Sequence, residues 1–128
     1  MKSKYVLLAS TMLISVATFA QKDQIKAAEK ALKAGKSDEA KTILLDAESV
    51  ITNATEAEKA QYYFVKGNVM LDLANKSVDK DANLSLAAGA FQELIEVEKA
   101  SGKSKYTAQA TKSVMDIKYK LINEAIAD

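Results

Sequence analysis

The sequence predicts an all-α protein. The 128 residues contain no Pro and only 4 Gly but many Ala, and apolar residues recur at spacings of three and four. Pro and Gly oppose a helix interior most strongly, whereas Ala favours it most, and the spacing is that of amphipathic helices. Apolar residues make up 48% of the chain, which is enough for the core of one domain.

The first twenty residues have the composition of a secretory signal peptide. Lys2 and Lys4 precede an apolar run over residues 5–19, which ends in the small-residue pattern Thr18-Phe19-Ala20. We predict that these residues form a helical signal peptide and that cleavage follows Ala20. An uncleaved N-terminal anchor is the alternative, but a membrane-spanning helix needs roughly 20 apolar residues, more than this run provides.

This leader predicts export. The ending Thr18-Phe19-Ala20-Gln21 resembles the signal ends of Gram-negative envelope proteins, so we expect the periplasm or cell envelope, with secretion as the alternative. The sequence contains no Cys, which excludes lipid attachment through Cys and disulfide bonds. After the leader we expect one helical-repeat domain over residues 21–128, without a stable membrane span.

Two helices are predicted directly after the leader. The first covers about 22–34 and ends at Gly35, because Gly readily adopts the left-handed conformation found after helix ends. We expect Ser37 to cap the second helix, with Asp38 and Glu39 in its first turn, where the helix dipole favours acidic side chains. The apolar residues of this helix lie on one face: Ala40, Ile43, Leu44, Ala47, Val50 and Ile51.

The third helix, predicted over about 56–75, is the expected centre of the fold. Thr55 and Glu58 have the spacing of a capping box at its start. Apolar side chains surround this helix almost completely, which indicates burial between neighbouring helices. They are Tyr62, Tyr63, Phe64, Val65, Val69, Met70, Leu71 and Leu73.

A polar loop over about 76–83 is predicted to lead into the fourth helix, about 83–100, which ends at Gly102. Its apolar face consists of Leu84, Ala87, Ala88, Phe91, Leu94 and Ile95. The fifth helix is predicted to begin near Ser104 and to continue to the last residue. Connections this short predict antiparallel neighbours and therefore helical hairpins.

The first two helices have the small-residue pattern of a known repeat. Gly35 lies at the turn between them, Ala40 and Ala47 occupy small positions where the two helices touch, and Leu44 is the large apolar residue between them. In this pattern the pair resembles the tetratricopeptide repeat (TPR), a unit of two helices and 34 residues. The resemblance implies stacked antiparallel hairpins that form an α-solenoid.

The next helix pair resembles the same family. Tyr63 matches the early aromatic position, Gly67 matches the Gly at which the two helices approach closely, and Met70, Ala87 and Phe91 follow at apolar positions. With the fifth helix, the resemblance implies about two and a half divergent TPR-like pairs.

The chain also departs from the family pattern. Gln24, Ala28 and Ala31 replace the aromatic, Gly and second aromatic residues of the first pair, and Thr52 replaces its closing Pro. In the second pair about eight residues, around 75–83, look inserted. A plain antiparallel helical bundle, in which Gly and Ala fall at these positions by chance, is the alternative.

The fifth helix has two apolar stripes. The inner stripe, which suffices to pack the helix on the fourth, consists of Ala110, Val114, Ile117, Leu121 and Ala125. The outer stripe consists of Met115, Tyr119, Ile122 and Ile126. A second apolar stripe on the last helix indicates an interface. We expect either self-association or further repeats of a longer protein, of which this chain would be an N-terminal part.

Three patterns match chemical sites only in part. Gly35-Lys36-Ser37 and Gly102-Lys103-Ser104 end like a phosphate-binding loop but lack the Gly five residues earlier. The segment 79–83 starts like a calcium loop, but Leu84 and Ala90 replace the Gly and Glu that complete it. A solvated loop is predicted there, with a weak Ca²⁺ contact as the alternative.

Acid–base catalysis is not predicted either. Carboxylate pairs such as Glu93 with Glu96 and Glu56 with Glu58 have Lys nearby, as on an ordinary helix surface. The sequence contains no His, and no nucleophile, base and orienting group occur together. We therefore predict no catalytic, metal or cofactor-binding residues, and no enzyme.

The TPR resemblance also implies a peptide groove along the first helix of each pair. Counted from the motif, its residues are Lys22, Ile25, Glu29 and Lys33, followed by Gln61, Phe64, Asn68 and Asp72. Asn68 matches the Asn that bonds the ligand backbone in members that bind peptide carboxylates. Phe64 replaces the Lys of those members, so a carboxylate clamp is not supported.

The expected function is that of a non-enzymatic, exported TPR-like scaffold that binds proteins or peptides in the cell envelope. The alternatives are a structural self-assembly module and an accessory repeat region of a larger envelope protein. The 18 basic and 17 acidic residues nearly cancel, so the sequence does not favour a nucleic-acid partner.

Overall fold

The computed structural model describes residues 21–127, so the predicted signal peptide lies outside the described residues. Five helices follow one another along this part of the chain, with a 3₁₀ turn, Ile51–Asn53, after the second. They are α1 over residues 21–33, α2 Ser37–Glu48, α3 Glu56–Asn75, α4 Lys80–Ser101 and α5 Thr107–Ala127. No strand occurs within 21–127, and this part of the chain is all-α, as predicted.

Polar contacts define the relative directions of two helix pairs, α2 with α3 and α4 with α5. Ser37, at the start of α2, donates a hydrogen bond to the Asp72 carboxylate near the end of α3. Lys80, at the start of α4, pairs with Glu124 near the end of α5. In both pairs the start of one helix contacts the end of the other, so the helices are antiparallel. α3 packs between α2 and α4, and α5 packs against α4.

The core is densest between α3 and α4. Gly67 of α3 faces Phe91 of α4, and a Cβ atom at Gly67 would lie 2.6 Å from the Phe91 ring. That distance is shorter than any van der Waals contact, so only Gly permits this helix separation. The close approach predicted at Gly67 is therefore present. Around it, the fully buried large side chains include Tyr62, Val69, Met70, Leu73, Leu84, Phe91 and Leu94.

Local sequence signals set several helix ends as predicted. Thr55 and Glu58 form the capping box at the start of α3, each side chain bonding the backbone N–H of the other residue. Gly35 and Gly102 have φ angles of 77° and 70°, the left-handed conformation that follows a helix end.

The predicted cap of α2 was wrong. Helix α2 begins at Ser37 itself, the N-cap position belongs to Lys36, and no side chain bonds the first backbone N–H groups there. Ser37 is buried, and its hydroxyl donates to Asp72 across the α2–α3 contact. Because Ser37 is already the first helical residue, it is not at the N-cap position from which a side-chain oxygen accepts from the first N–H groups. Its hydroxyl instead makes a bond to a charged group, which is about twice as strong as a neutral one.

The predicted polar loop was too long. Only residues 76–79 are non-helical, and α4 begins at Lys80. Asn83 is buried within α4, donates to the carbonyl oxygen of Val78 at 2.7 Å and accepts from Lys41 of α2 at 3.2 Å. These two bonds hold a tight turn against the helices. Of the segment that looked inserted, residues 80–83 therefore lengthen α4, and only residues 76–79 form the turn.

Candidate functional site

The outer stripe is the largest group of exposed apolar side chains in the described part of the chain. The exposed fractions are 52% for Met115, 62% for Tyr119, 54% for Ile122 and 78% for Ile126. On the other side of α5, Ala110, Val114 and Ile117 of the inner stripe are buried. Helix α5 is therefore packed on one face, and its apolar outer stripe faces solvent.

Glu98, near the end of α4, holds the start of α5 in place. Its side chain is buried and accepts hydrogen bonds from the backbone N–H groups of Lys105 and Tyr106 and from the Thr107 hydroxyl, each at 2.8 Å. Backbone N–H groups around a helix start lack partners within the helix, and here a carboxylate from the preceding helix accepts from the two residues directly before α5. The start of α5 is thus fixed relative to α4.

The environment of Glu98 favours its ionised form. Burial alone would raise the pKa of this carboxyl, but the bonds from Tyr106, Thr107 and Lys105 outweigh burial and hold the pKa below its ordinary value. Each of these donors bonds more strongly to the charged carboxylate than to the neutral acid. Glu98 is therefore fully occupied as a structural cap of α5.

Two exposed contacts hold the other end of α5. Lys80 of α4 pairs with Glu124, and this bond raises the pKa of the Lys80 ammonium. Lys120 donates to the side-chain oxygen of Asn75, the last residue of α3, at 3.0 Å. Exposed contacts of this kind contribute little, and α5 is positioned mainly by Glu98 and by the burial of Ala110, Val114 and Ile117 against α4. The outer stripe therefore lies on a positioned helix rather than on a free one.

The residues of the predicted peptide groove on α3 mostly contact their own chain. Phe64 stacks on Tyr106, with 4.3 Å between ring centroids. Asn68 donates to the carbonyl oxygen of Phe64, one turn earlier in the same helix, at 2.9 Å. Asp72 accepts from Lys76 and from Ser37, and these bonds lower its pKa.

Gln61, the fourth of these residues, lines an open cleft of about 510 Å³. The cleft lies between the start of α3 and the α4–α5 turn, and its other lining residues include Lys22, Glu58, Lys103, Lys105 and Tyr106. Its charges have both signs, and Glu58 already belongs to the capping box of α3. The cleft is therefore not built for a ligand of one charge.

The groove positions predicted on α1 are not all at the surface. Ile25 is 1% exposed and belongs to the core, because it lies on the face of α1 that also contains the buried Ala28. Glu29 and Lys33 form an exposed ion pair at 3.1 Å, and Lys22 is exposed. The prediction of Ile25 as a groove residue was wrong.

Comparisons with known proteins gave no relatives: no family model matches, and neither the curated proteins nor the solved structures that were searched contain a match. Within residues 21–127, no group of acidic side chains could hold a metal ion, and none of the helices is long and apolar enough to cross a bilayer.

The sequence reasoning missed the role of Glu98. A signal was present, since a Glu in the last turn of a helix opposes the helix dipole, which favours basic residues there. Such a residue requires another partner, and the first residues of the next helix are the nearest unpaired donors.

Proposed function

We propose that this chain is a non-enzymatic, exported scaffold of TPR-like helical hairpins, and that it binds other proteins in the cell envelope through the outer stripe of α5. The observation on which this proposal depends is the exposure of four large apolar side chains on one face of a fixed helix. Contiguous exposed apolar surface of this kind commonly marks an interaction site.

The position of α5 makes the outer stripe a better docking surface than the predicted groove. Glu98 holds the start of α5, and Lys80 and Lys120 hold its end, so a partner meets a helix that is already ordered. Binding to a preorganised surface avoids the entropy cost of ordering it. Phe64, Asn68 and Asp72, by contrast, would have to exchange contacts within the chain for contacts with a peptide.

The hairpin arrangement supports the TPR-like part of the proposal. Helices α2 to α5 are antiparallel neighbours, Ala40, Ala47 and Ala87 are fully buried, and Gly67 brings α3 and α4 together.

The export part of the proposal depends on the sequence of the leader, and it predicts a mature N-terminus at Gln21. Mass spectrometry of the protein from the envelope fraction tests this, and an intact leader would overturn it.

Photo-crosslinking in the native envelope tests the docking surface. A photoreactive amino acid at Tyr119 should yield discrete crosslinked products, and Ile122→Asp in the same chain should remove them. The control places the same group at Leu45 of α2, which is 51% exposed and lies away from α5. Products that persist with Ile122→Asp, or that form equally well at Leu45, would show that the outer stripe is not the docking surface.

A further inference from the structure

The spacing of the outer stripe indicates which surface fits it. Met115, Tyr119, Ile122 and Ile126 follow one another at intervals of four, three and four residues. This alternation is the heptad spacing with which one helix packs along another. The four residues span ~16 Å of helix at 1.5 Å per residue. A second helix of similar length is therefore the occupant that the stripe fits best.

The intervals of four, three and four residues are the same in both directions along the helix. If a second α5 lies antiparallel on the first, Met115 faces Ile126 and Tyr119 faces Ile122, in both directions. The stripe therefore complements itself about a twofold axis, the symmetry of nearly all homodimers. On the basis of the proposed function, we propose that the protein bound by the outer stripe is a second copy of this chain, paired antiparallel through α5.

The charges beside the stripe favour this direction. In the antiparallel pair, Asp116 and Lys118 of one copy lie beside the uncharged Asn123 and Ala125 of the other. In a parallel pair, Lys112, which continues the stripe at the next heptad position, would face Lys112 of the other copy. Like charges that face each other destabilise a helix pair, so the antiparallel arrangement is preferred.

The exposed area agrees with a reversible dimer. A large aromatic side chain has roughly 150–250 Å² of surface, so the exposed parts of the four residues amount to roughly 400–500 Å² in each copy. Two such stripes together bury roughly 800–1,000 Å², which is below the range of stable interfaces and within that of weak, transient ones. A partner without an apolar stripe of its own would cover the outer stripe with polar surface, and only half of the buried area would be apolar.

Sedimentation equilibrium of the purified chain, without any other protein, tests the proposal. We expect a monomer–dimer equilibrium with a Kd that is roughly micromolar, as for small, reversible interfaces. Ile122→Asp should weaken the dimer by roughly 30-fold or more, the effect of losing a central interface residue, and Ile126→Asp, at the end of the stripe, should weaken it less. Leu45→Asp, which places the same charge on an equally exposed apolar residue of α2, should leave the dimer unchanged.

Cysteine crosslinking tests the direction of pairing, since the chain has no Cys of its own. Tagged chains with Tyr119→Cys are mixed with untagged chains with Ile122→Cys and then oxidised. Antiparallel pairing predicts mainly tagged-to-untagged disulfides, because these two positions face each other. Mainly like-to-like disulfides would overturn the antiparallel arrangement.

The outcomes separate this inference from the proposed function. If the purified chain stays monomeric at its highest soluble concentration while Tyr119 still crosslinks to another protein in the envelope, the second copy is the wrong occupant and the docking surface stands. If the chain is monomeric and Tyr119 yields no crosslink that depends on Ile122, both proposals fail.

Discussion

Helices α3 and α5 are nearly equal in length, 20 and 21 residues, and both have large apolar side chains on more than one face. In α3 these side chains are all buried or half-buried, because α2 and α4 pack on two of its sides. In α5 the inner stripe is buried at Ala110, Val114 and Ile117, half-buried at Leu121 and exposed at Ala125, so its predicted last residue was wrong. The outer stripe remains exposed over its whole length.

The difference between the two helices lies in the number of neighbours rather than in the residues. An apolar side chain stabilises folding only if folding removes it from water, at roughly 1.5–3 kcal/mol for a large one that becomes fully buried. The apolar residues of α3 therefore stabilise the fold, whereas those of the outer stripe leave the same kind of free energy available for binding.

The largest expected effect compares two Ile residues of α5. Ile117 is 1% exposed and Ile122 is 54% exposed. Ile117→Ala should lower the free energy of unfolding by roughly 2–5 kcal/mol, because it leaves a cavity in the core. Ile122→Ala should change it by less than about 0.5 kcal/mol, as is usual for a surface substitution.

Urea unfolding at protein concentrations low enough to keep the chain monomeric measures both values. An equal loss of stability in the two variants would mean that α5 is covered on both faces. Helices α3 and α5 would then not differ in how many of their apolar faces are covered, and α5 would have no exposed docking surface.

The next effect concerns the α3–α4 contact. Gly67→Leu should destabilise the fold by about 1–3 kcal/mol, because the new side chain meets the buried Phe91 ring and overpacks the core. Helix propensity alone predicts the opposite sign, since Leu favours a helix over Gly by several tenths to about 1 kcal/mol.

Gly89 of α4 is the matched control. It is exposed, and a Cβ atom there would have no neighbour within 4 Å, so Gly89→Leu should raise the stability. Thermal unfolding of the two variants should therefore shift the melting temperature in opposite directions. A raised melting temperature for Gly67→Leu would contradict the close approach of α3 and α4.

The parts of this fold that the sequence predicts are those that depend on residues close together in the chain. The limits of α3 follow from the Thr55–Glu58 capping box and its apolar pattern, and the ends of α1 and α4 follow from Gly35 and Gly102. The outer stripe could also be predicted, since helical period alone places its four residues on one face of α5. The TPR-like arrangement of the hairpins stays a prediction.

What the sequence did not predict depends on partners from other helices. Ser37 has the residue type of a cap, yet it bonds Asp72, which is 35 positions away. Phe64 matches a groove position, yet Tyr106 covers it. Local propensity does not contain such pairings, because they form only when the helices pack.

The last effect concerns the start of α5, where the carboxylate of Glu98 holds a helix that has one neighbouring helix instead of two. Glu98→Gln removes the charge and replaces one acceptor oxygen with an amide that cannot accept. Since Lys105, Tyr106 and Thr107 all donate to Glu98, we expect a loss of stability of about 1–3 kcal/mol at neutral pH. Glu96→Gln, on an exposed neighbouring residue of α4, should have almost no effect.

The lowered pKa of Glu98 determines how its contribution to stability changes with pH. The pKa of Glu98 is lowered in the folded protein relative to its ordinary value of 4.5, so the unfolded chain binds the proton more readily. The stability contributed by the ionised carboxylate is therefore complete above the unfolded pKa and disappears as the pH falls through the folded pKa. The wild type should thus lose stability on acidification faster than Glu98→Gln, and the two free energies of unfolding should converge below pH 4.5. Urea unfolding measured at intervals from neutral to acidic pH tests this. If the difference in free energy of unfolding between the wild type and Glu98→Gln does not change with pH, the charge of Glu98 does not hold α5.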